Sequence, residues 1–188
     1  MRSFLALPLP PGVTRPLAAL VAGLPFARPV PPENMHLTLA FLGERREAEV
    51  VAAHEAIATL DAQALPIALC GLDVFGGRHP AGLHIGVADP APLVALHRRV
   101  LARLNGAGVI LPRERYTPHV TLLRFRAPLP EPDTARLVRF MAERGGIALP
   151  PFIATRMVLF RSFLGAGPPR YDELAHYDLH SSDFNNSG

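Results

Sequence analysis

Residues 35–42 read Met35-His36-Leu37-Thr38-Leu39-Ala40-Phe41-Leu42, an apolar, β-favouring run broken by a histidine and a threonine two positions apart. Successive side chains of a strand point to opposite faces, so His36 and Thr38 share one face while Leu37 and Leu39 share the other. The pattern recurs at residues 116–125, Tyr116-Thr117-Pro118-His119-Val120-Thr121-Leu122-Leu123-Arg124-Phe125, where His119 and Thr121 stand in the same relation. One cleft could therefore collect two imidazoles and two hydroxyls. A single H-x-T pair is a weak signal in a chain with eight histidines, but a repeated pair inside matched apolar flanks is a good one.

Outward from these two runs the chain alternates between strand and helix patterns. Residues 3–9 predict a strand closed by prolines, and Thr14 reads as the N-cap of a helix over 15–23. Pro29, Pro31 and Pro32 predict an extended loop before the first histidine run. The spacing of Val50, Val51, His54, Ile57 and Leu60 predicts a helix over 44–62. Strands over 65–75 and 81–88 are expected around a Gly-Gly-Arg-His-Pro turn. A helix over 91–104 should end at Asn105-Gly106, and one over 132–144 at Gly145-Gly146. Strands near 152–163 and 171–180 complete the pattern. His36 and His119 lie 83 positions apart in a chain of 188, so two similar halves are expected, each offering its histidine strand to a shared groove. The fold class is α+β: two antiparallel sheets line a central cleft and helices cover their outer faces. Residues 1–180 form one bilobal domain on this reading, and the polar segment 181–188 is expected to be a disordered tail.

Composition narrows the function classes. The chain is 49% hydrophobic and 19% charged, which is globular, and all nineteen basic residues are arginine. A net charge of +3 and a pI near 9.7 fit an anionic partner, although a genomic preference for arginine explains the missing lysines equally well. Cys70 is the only cysteine, which excludes an internal disulfide and fits a reducing, cytoplasmic setting with Cys70 as a small core residue. Pro8, Pro10, Pro11 and Arg15 break the apolar start too early for a signal peptide. No run approaches the ~18 apolar residues of a membrane span, and the expectation is a monomer with no membrane partner.

Two histidines on facing strands make a metal-free acid–base pair, because near neutrality one imidazole can accept a proton while another donates one. Such a pair suits in-line displacement at phosphorus, and the threonine hydroxyls can donate to the non-bridging oxygens as negative charge grows. The plainer reading of each pair is a packed histidine beside an ordinary strand threonine. Zinc needs three or four ligands, and no cysteine cluster or close third ligand accompanies the pair, so neither a metal nor another cofactor is expected. His54, His79, His97, His176 and His180 read as packing or surface residues. His84 does too, although its alternation with Leu83 and Ile85 could turn it toward the cleft.

These residues resemble the motifs of the 2H phosphoesterase superfamily, and within it the bacterial and archaeal RNA 2′,3′-cyclic phosphodiesterases formerly called 2′-5′ RNA ligases. The stretch Asn34-Met35-His36-Leu37-Thr38-Leu39-Ala40-Phe41-Leu42-Gly43-Glu44 is similar to the first motif of that family, and Arg115-Tyr116-Thr117-Pro118-His119-Val120-Thr121-Leu122-Leu123-Arg124 to the second. Arg2-Ser3-Phe4-Leu5-Ala6 resembles its opening strand, and Leu159-Phe160-Arg161-Ser162 with Tyr171 its closing block. The resemblance implies a pseudo-symmetric bilobal α+β fold, His36 and His119 as the catalytic pair, Thr38 and Thr121 as phosphate ligands, and no metal. It further implies hydrolysis of a 2′,3′-cyclic phosphate on RNA or a nucleotide to a 2′-phosphate, with reversible 2′-5′ ligation as the reverse chemistry. An RNA-end binding module without useful turnover, or a phosphodiesterase for a small cyclic nucleotide metabolite, would fit the same motifs. The chain carries Ala40 where many members have lysine, which shifts anion contacts to arginines elsewhere. Arg124 matches a family arginine and is a candidate phosphate ligand. Regular alternation, however, puts Arg124 on the face opposite Thr121, so it can reach a phosphate only through a bulge or the end of the strand.

Overall fold

The computed structural model describes residues 1–76, 80–125, 129–165 and 167–180; Gly77, Arg78 and His79 of the expected turn and the tail 181–188 lie outside the described residues. Its first four-stranded sheet runs in the spatial order β10 (Arg170–Asp178), β9 (Arg156–Phe163), β1 (Arg2–Pro8), β3 (His36–Glu44). The second runs β2 (Ala27–Pro29), β7 (Val120–Phe125), β6 (Gly82–Val87), β5 (Leu69–Phe75), and β4 (Leu65–Ile67) pairs separately with β8 (Phe152–Ala154). All these pairings are antiparallel. Each sheet holds one histidine motif, yet each draws strands from both halves of the chain. Helices α1 (Pro11–Val21) and α4 (Glu131–Arg144) pack on the second sheet through β7 and β5. Helix α3 (Ala91–Gly106) packs on β3, and α2 (Glu47–Ala58) on α3 and β10.

One apolar cluster joins sheets and helices. Leu5 and Leu7 of β1, Leu17 of α1, Ile57 of α2, and Leu93 and Leu104 of α3 are all essentially inaccessible. Each such side chain contributes on the order of 1.5–3 kcal/mol through burial, which is what fixes the helices on the outer faces.

Several boundaries differ from the sequence reading. Helix α1 starts at Pro11 after Pro10, and Thr14 is a buried residue inside it rather than its cap. Proline suits the first helical position because its missing N–H would be unpaired there anyway. Strand β3 runs on to Glu44, so α2 begins only at Glu47. Helix α3 continues through Asn105 and Gly106, and Gly108 terminates it with φ +77°; the Val109 and Gly108 amides return to the Leu104 and Asn105 carbonyls at 2.9 and 3.0 Å. The single strand expected over 65–75 splits at Ala68, because β4 leaves the sheet to pair with β8. The proline-rich loop contributes β2, which pairs with the edge of β7. Strand β7 starts at Val120, immediately after His119, since Pro118 has no N–H to give a ladder.

The feature that positions the site is a β-bulge placed identically in both histidine strands. In β3, Thr38 pairs with Ala6 and Ala40 with Leu5, leaving Leu39 extra. In β7, Thr121 pairs with His84 and Leu123 with Leu83, leaving Leu122 extra. Each extra residue shifts the alternation by one. Leu39 and Ala40 are therefore consecutive buried residues, as are Leu122 and Leu123, while Phe41 and Arg124 emerge exposed. The bulge thus returns Arg124 to the face of Thr121, and Phe41 takes the equivalent place after Thr38.

Candidate active site

His36, Thr38, His119, Thr121 and Arg124 all line one cleft of about 1280 Å³ between the two sheets. Every site residue expected from the sequence is thus brought to one place. Ala40 does not border the cleft: it is 4% exposed and part of the core, so its position presents no side chain to an anion there.

Both imidazoles are held in the same way. Nδ1 of His36 lies 2.7 Å from the Asn34 carbonyl, and Nδ1 of His119 lies 2.8 Å from the Thr117 carbonyl, two residues upstream in each motif. A carbonyl can only accept, so Nδ1 carries the proton in both rings and Nε2 is left for chemistry. Aromatic rings then fix the ring planes. Phe4 stacks on His36 with centroids 4.8 Å apart, and Tyr171 meets it edge-on at 5.4 Å. Phe75 meets His119 edge-on at 4.6 Å, and His84 at 5.2 Å.

Burial pushes the pKa of His36 down from 6.5 to about 4, against a smaller upward pull from the Asn34 carbonyl, while the charges of Arg124 and His119 push it further down. His119 is also lowered, mainly by burial and partly offset by its bond to Thr117. Both rings are therefore neutral in the empty site near pH 7. An anion between them would reverse this, since a negative charge favours imidazolium.

Other side chains border the cleft as well: Arg2, Phe4, Asn34, Phe41 and Tyr171 lie within the stretches quoted above but were given no role there, and Arg28 lies outside them; no aspartate or glutamate among the described residues borders the cleft. The Arg2 guanidinium sits 4.6 Å over the Phe41 ring. His84, read from the sequence as a packing residue, is 7% exposed, and its ring stacks on Phe75 at 3.9 Å to form a wall behind His119. Gly82 pairs with Arg124, and a Cβ there would meet the Leu123 carbonyl oxygen at 2.7 Å, so a side chain at 82 would push the bulged strand away. Among the described residues no group of three histidine, cysteine or carboxylate side chains stands in metal-binding geometry, and no helix is long and apolar enough to cross a membrane.

The bulge in β3 is clamped from the second motif and from α3. Tyr116 donates its hydroxyl to the Thr38 carbonyl at 3.0 Å, and His97 Nδ1 donates to the Leu39 carbonyl at 2.7 Å. The two rings stack at 4.0 Å with planes 9° apart. In β7 the equivalent carbonyl, of Leu122, accepts instead from the Val30 amide at 2.9 Å. Three residues before His119, Tyr116 therefore ties one histidine motif to the other.

The chain is similar to known proteins. Residues 7–83 match the family model described as LigT like phosphoesterase. The RNA 2′,3′-cyclic phosphodiesterase of Geobacillus stearothermophilus is 32% identical over 164 residues, covering 84% of this chain and 49% of that protein. The chain thus spans about half the length of that relative. The RNA 2′,3′-cyclic phosphodiesterase of Bacillus subtilis (strain 168) is 26% identical over 189 residues, covering 94% and 95% of the two chains. The crystal structure of TT0787 of Thermus thermophilus superposes with a TM-score of 0.77 at 26% identity, covering 96% of this chain and 99% of that one. Over residues 7–83, which hold the first histidine motif, the chain is thus similar to the LigT-like phosphoesterases, and it shares its two-sheet architecture with TT0787 along nearly its whole length.

Proposed function

We propose that the protein hydrolyses 2′,3′-cyclic phosphates at the 3′ end of RNA or on a nucleotide, giving a 2′-phosphate by metal-independent acid–base catalysis in the cytoplasm. The observation that carries this reading is the pair of imidazoles presenting the same tautomer to one cleft, each beside a threonine. The name shared by its relatives supports the substrate class. One histidine takes a proton from water as its oxygen attacks phosphorus, the P–O3′ bond breaks, and the other histidine protonates the leaving 3′-oxygen. Thr38 and Thr121 donate to the non-bridging oxygens, and Arg124 offsets the growing charge. An RNA 5′-hydroxyl in place of water would run the same steps toward a 2′-5′ linkage.

The test is turnover of 2′,3′-cyclic AMP by purified protein in excess EDTA, with 2′- and 3′-phosphates resolved chromatographically. The expected product is the 2′-phosphate, and His36→Ala and His119→Ala should each lose about 10²–10⁴-fold in rate. Full activity in either variant, or turnover that requires added zinc or manganese, would overturn the mechanism.

A further inference from the structure

The cleft holds more cations than a cyclic phosphate needs: Arg2 lies over the Phe41 ring, and Arg28 accompanies Arg124. Arg28 of β2 lies directly opposite Arg124 of β7 in the antiparallel register, so the two side chains leave the same face of the sheet. Like charges placed directly across two strands repel and cost stability. Neither guanidinium makes a hydrogen bond or ion pair among the described residues, and Arg28 is exposed at the cleft wall. Nothing on the cleft surface offsets the pair, because the described lining contains no carboxylate. An anion between the two guanidiniums relieves that repulsion.

The reacting group supplies one negative charge. A 2′,3′-cyclic phosphate is a diester with a single charge shared by two non-bridging oxygens, and Arg124 with the two threonine hydroxyls already faces it. A second anion must come from elsewhere on the substrate. Since the cyclic phosphate terminates the 3′ end, any further backbone phosphate lies on its 5′ side. The same cleft is also lined by Ala18 of α1, by Ala22 just past its end, and by the segment Pro29, Val30, Pro31 and Pro32 that follows Arg28, a wall of short or rigid side chains without charge. Arginine's planar fork suits a phosphodiester.

We propose that Arg28 holds the phosphodiester immediately 5′ of the terminal nucleotide, so that the site is built for a polynucleotide end rather than for a free cyclic mononucleotide. The assignment rests on the catalytic reading above for the position of the reacting phosphate. Arg28 grips the chain one phosphate upstream, and the rest of the strand leaves past α1.

The test compares kcat/KM for adenosine 2′,3′-cyclic phosphate with that for an adenylyl-adenosine dinucleotide ending in the same cyclic phosphate, in wild type and in Arg28→Gln. Wild type should prefer the dinucleotide, and the variant should lose about 10- to 100-fold of that preference. The salt dependence of the dinucleotide reaction should also flatten, by about 0.7 in the log–log slope for one lost phosphate contact. A preference that survives in Arg28→Gln, whether because both rates fall together or because neither does, overturns the assignment. Titration with the two 2′-phosphorylated products reads the same subsite without turnover. A protein that hydrolyses neither substrate but binds the dinucleotide product more tightly through Arg28 refutes the catalytic reading alone, while equal affinity in wild type and Arg28→Gln refutes this one.

Discussion

Acid should loosen the fold through His36, and the size of the effect follows from its surroundings. Burial beneath Phe4 disfavours the charged imidazole and outweighs the upward pull of the Asn34 carbonyl on its Nδ1 proton, and Arg124 and, once protonated, His119 add repulsion, so its pKa falls from 6.5 to about 4. A group whose folded pKa is depressed binds fewer protons folded than unfolded. The stability it leaves intact above pH 6.5 is therefore lost as pH drops from 6.5 through about 4. At about 1.4 kcal/mol per pKa unit the full loss is about 3 kcal/mol, or on the order of 6–12 °C in melting temperature for a chain of this size. Urea unfolding between about pH 8 and about pH 4 measures it, with His36→Gln as the reference because an amide does not titrate. The stability difference between wild type and variant should shift against the wild type by about 3 kcal/mol across that window. Saturating inorganic phosphate should shrink the shift, since an anion in the cleft raises the folded pKa toward the unfolded value. A difference that stays flat from one end of the window to the other would refute the reasoning.

The same depressed values set the rate profile: kcat/KM should trace a bell whose limbs belong to the histidine pair and whose maximum lies acid of 6.5, whereas a profile flat across that range would contradict paired proton transfer. Arg124→Ala should cost about 1.5–3 kcal/mol of transition-state stabilisation, with Arg124→Lys restoring only part. It should also raise the His36 pKa in an NMR titration, because a neighbouring positive charge has been removed; unchanged kinetics and an unchanged titration would make Arg124 a bystander. Tyr116→Phe deletes one hydroxyl and leaves the Thr38 carbonyl without that partner, so stability should fall by about 1 kcal/mol and kcat should fall more than KM rises. A variant with wild-type kcat would show that the tie between the motifs holds only the fold.

The two histidine strands, the outer helices and the antiparallel sheets were legible because they rest on periodicity: His36, Thr38, Leu37 and Leu39 sort by face on any strand. What periodicity hides is where it slips. Nothing in Leu39-Ala40 or Leu122-Leu123 announces a bulge, since the residues on both sides of each slip are equally apolar and equally at home in a core. The slip is set by register against β1 and β6, a long-range property, and it decides which residue after each threonine reaches the cleft. The exchange of strands between sheets was hidden for the same reason, because pairing partners lie far apart in the chain.

That slip also gives two similar half-sites different chemistry. Behind the same H-x-T and the same bulge, one strand delivers Phe41, backed by the Arg2 guanidinium, and the other delivers Arg124 opposite Arg28. The support differs in parallel. At β7 the carbonyl of the bulged residue is taken by the Val30 amide, just past the end of β2, whereas β3 is the edge of its sheet and has Tyr116 and His97 in that role. An exposed strand edge invites pairing with another chain, and covering it with side chains that also reach into the second motif removes that hazard while fixing the bulge. Each histidine thus has an aromatic wall, but Phe41 with Arg2 stands in one half and the Arg28–Arg124 pair in the other, so a substrate that carries a base at one end and phosphates at the other can tell the two halves apart.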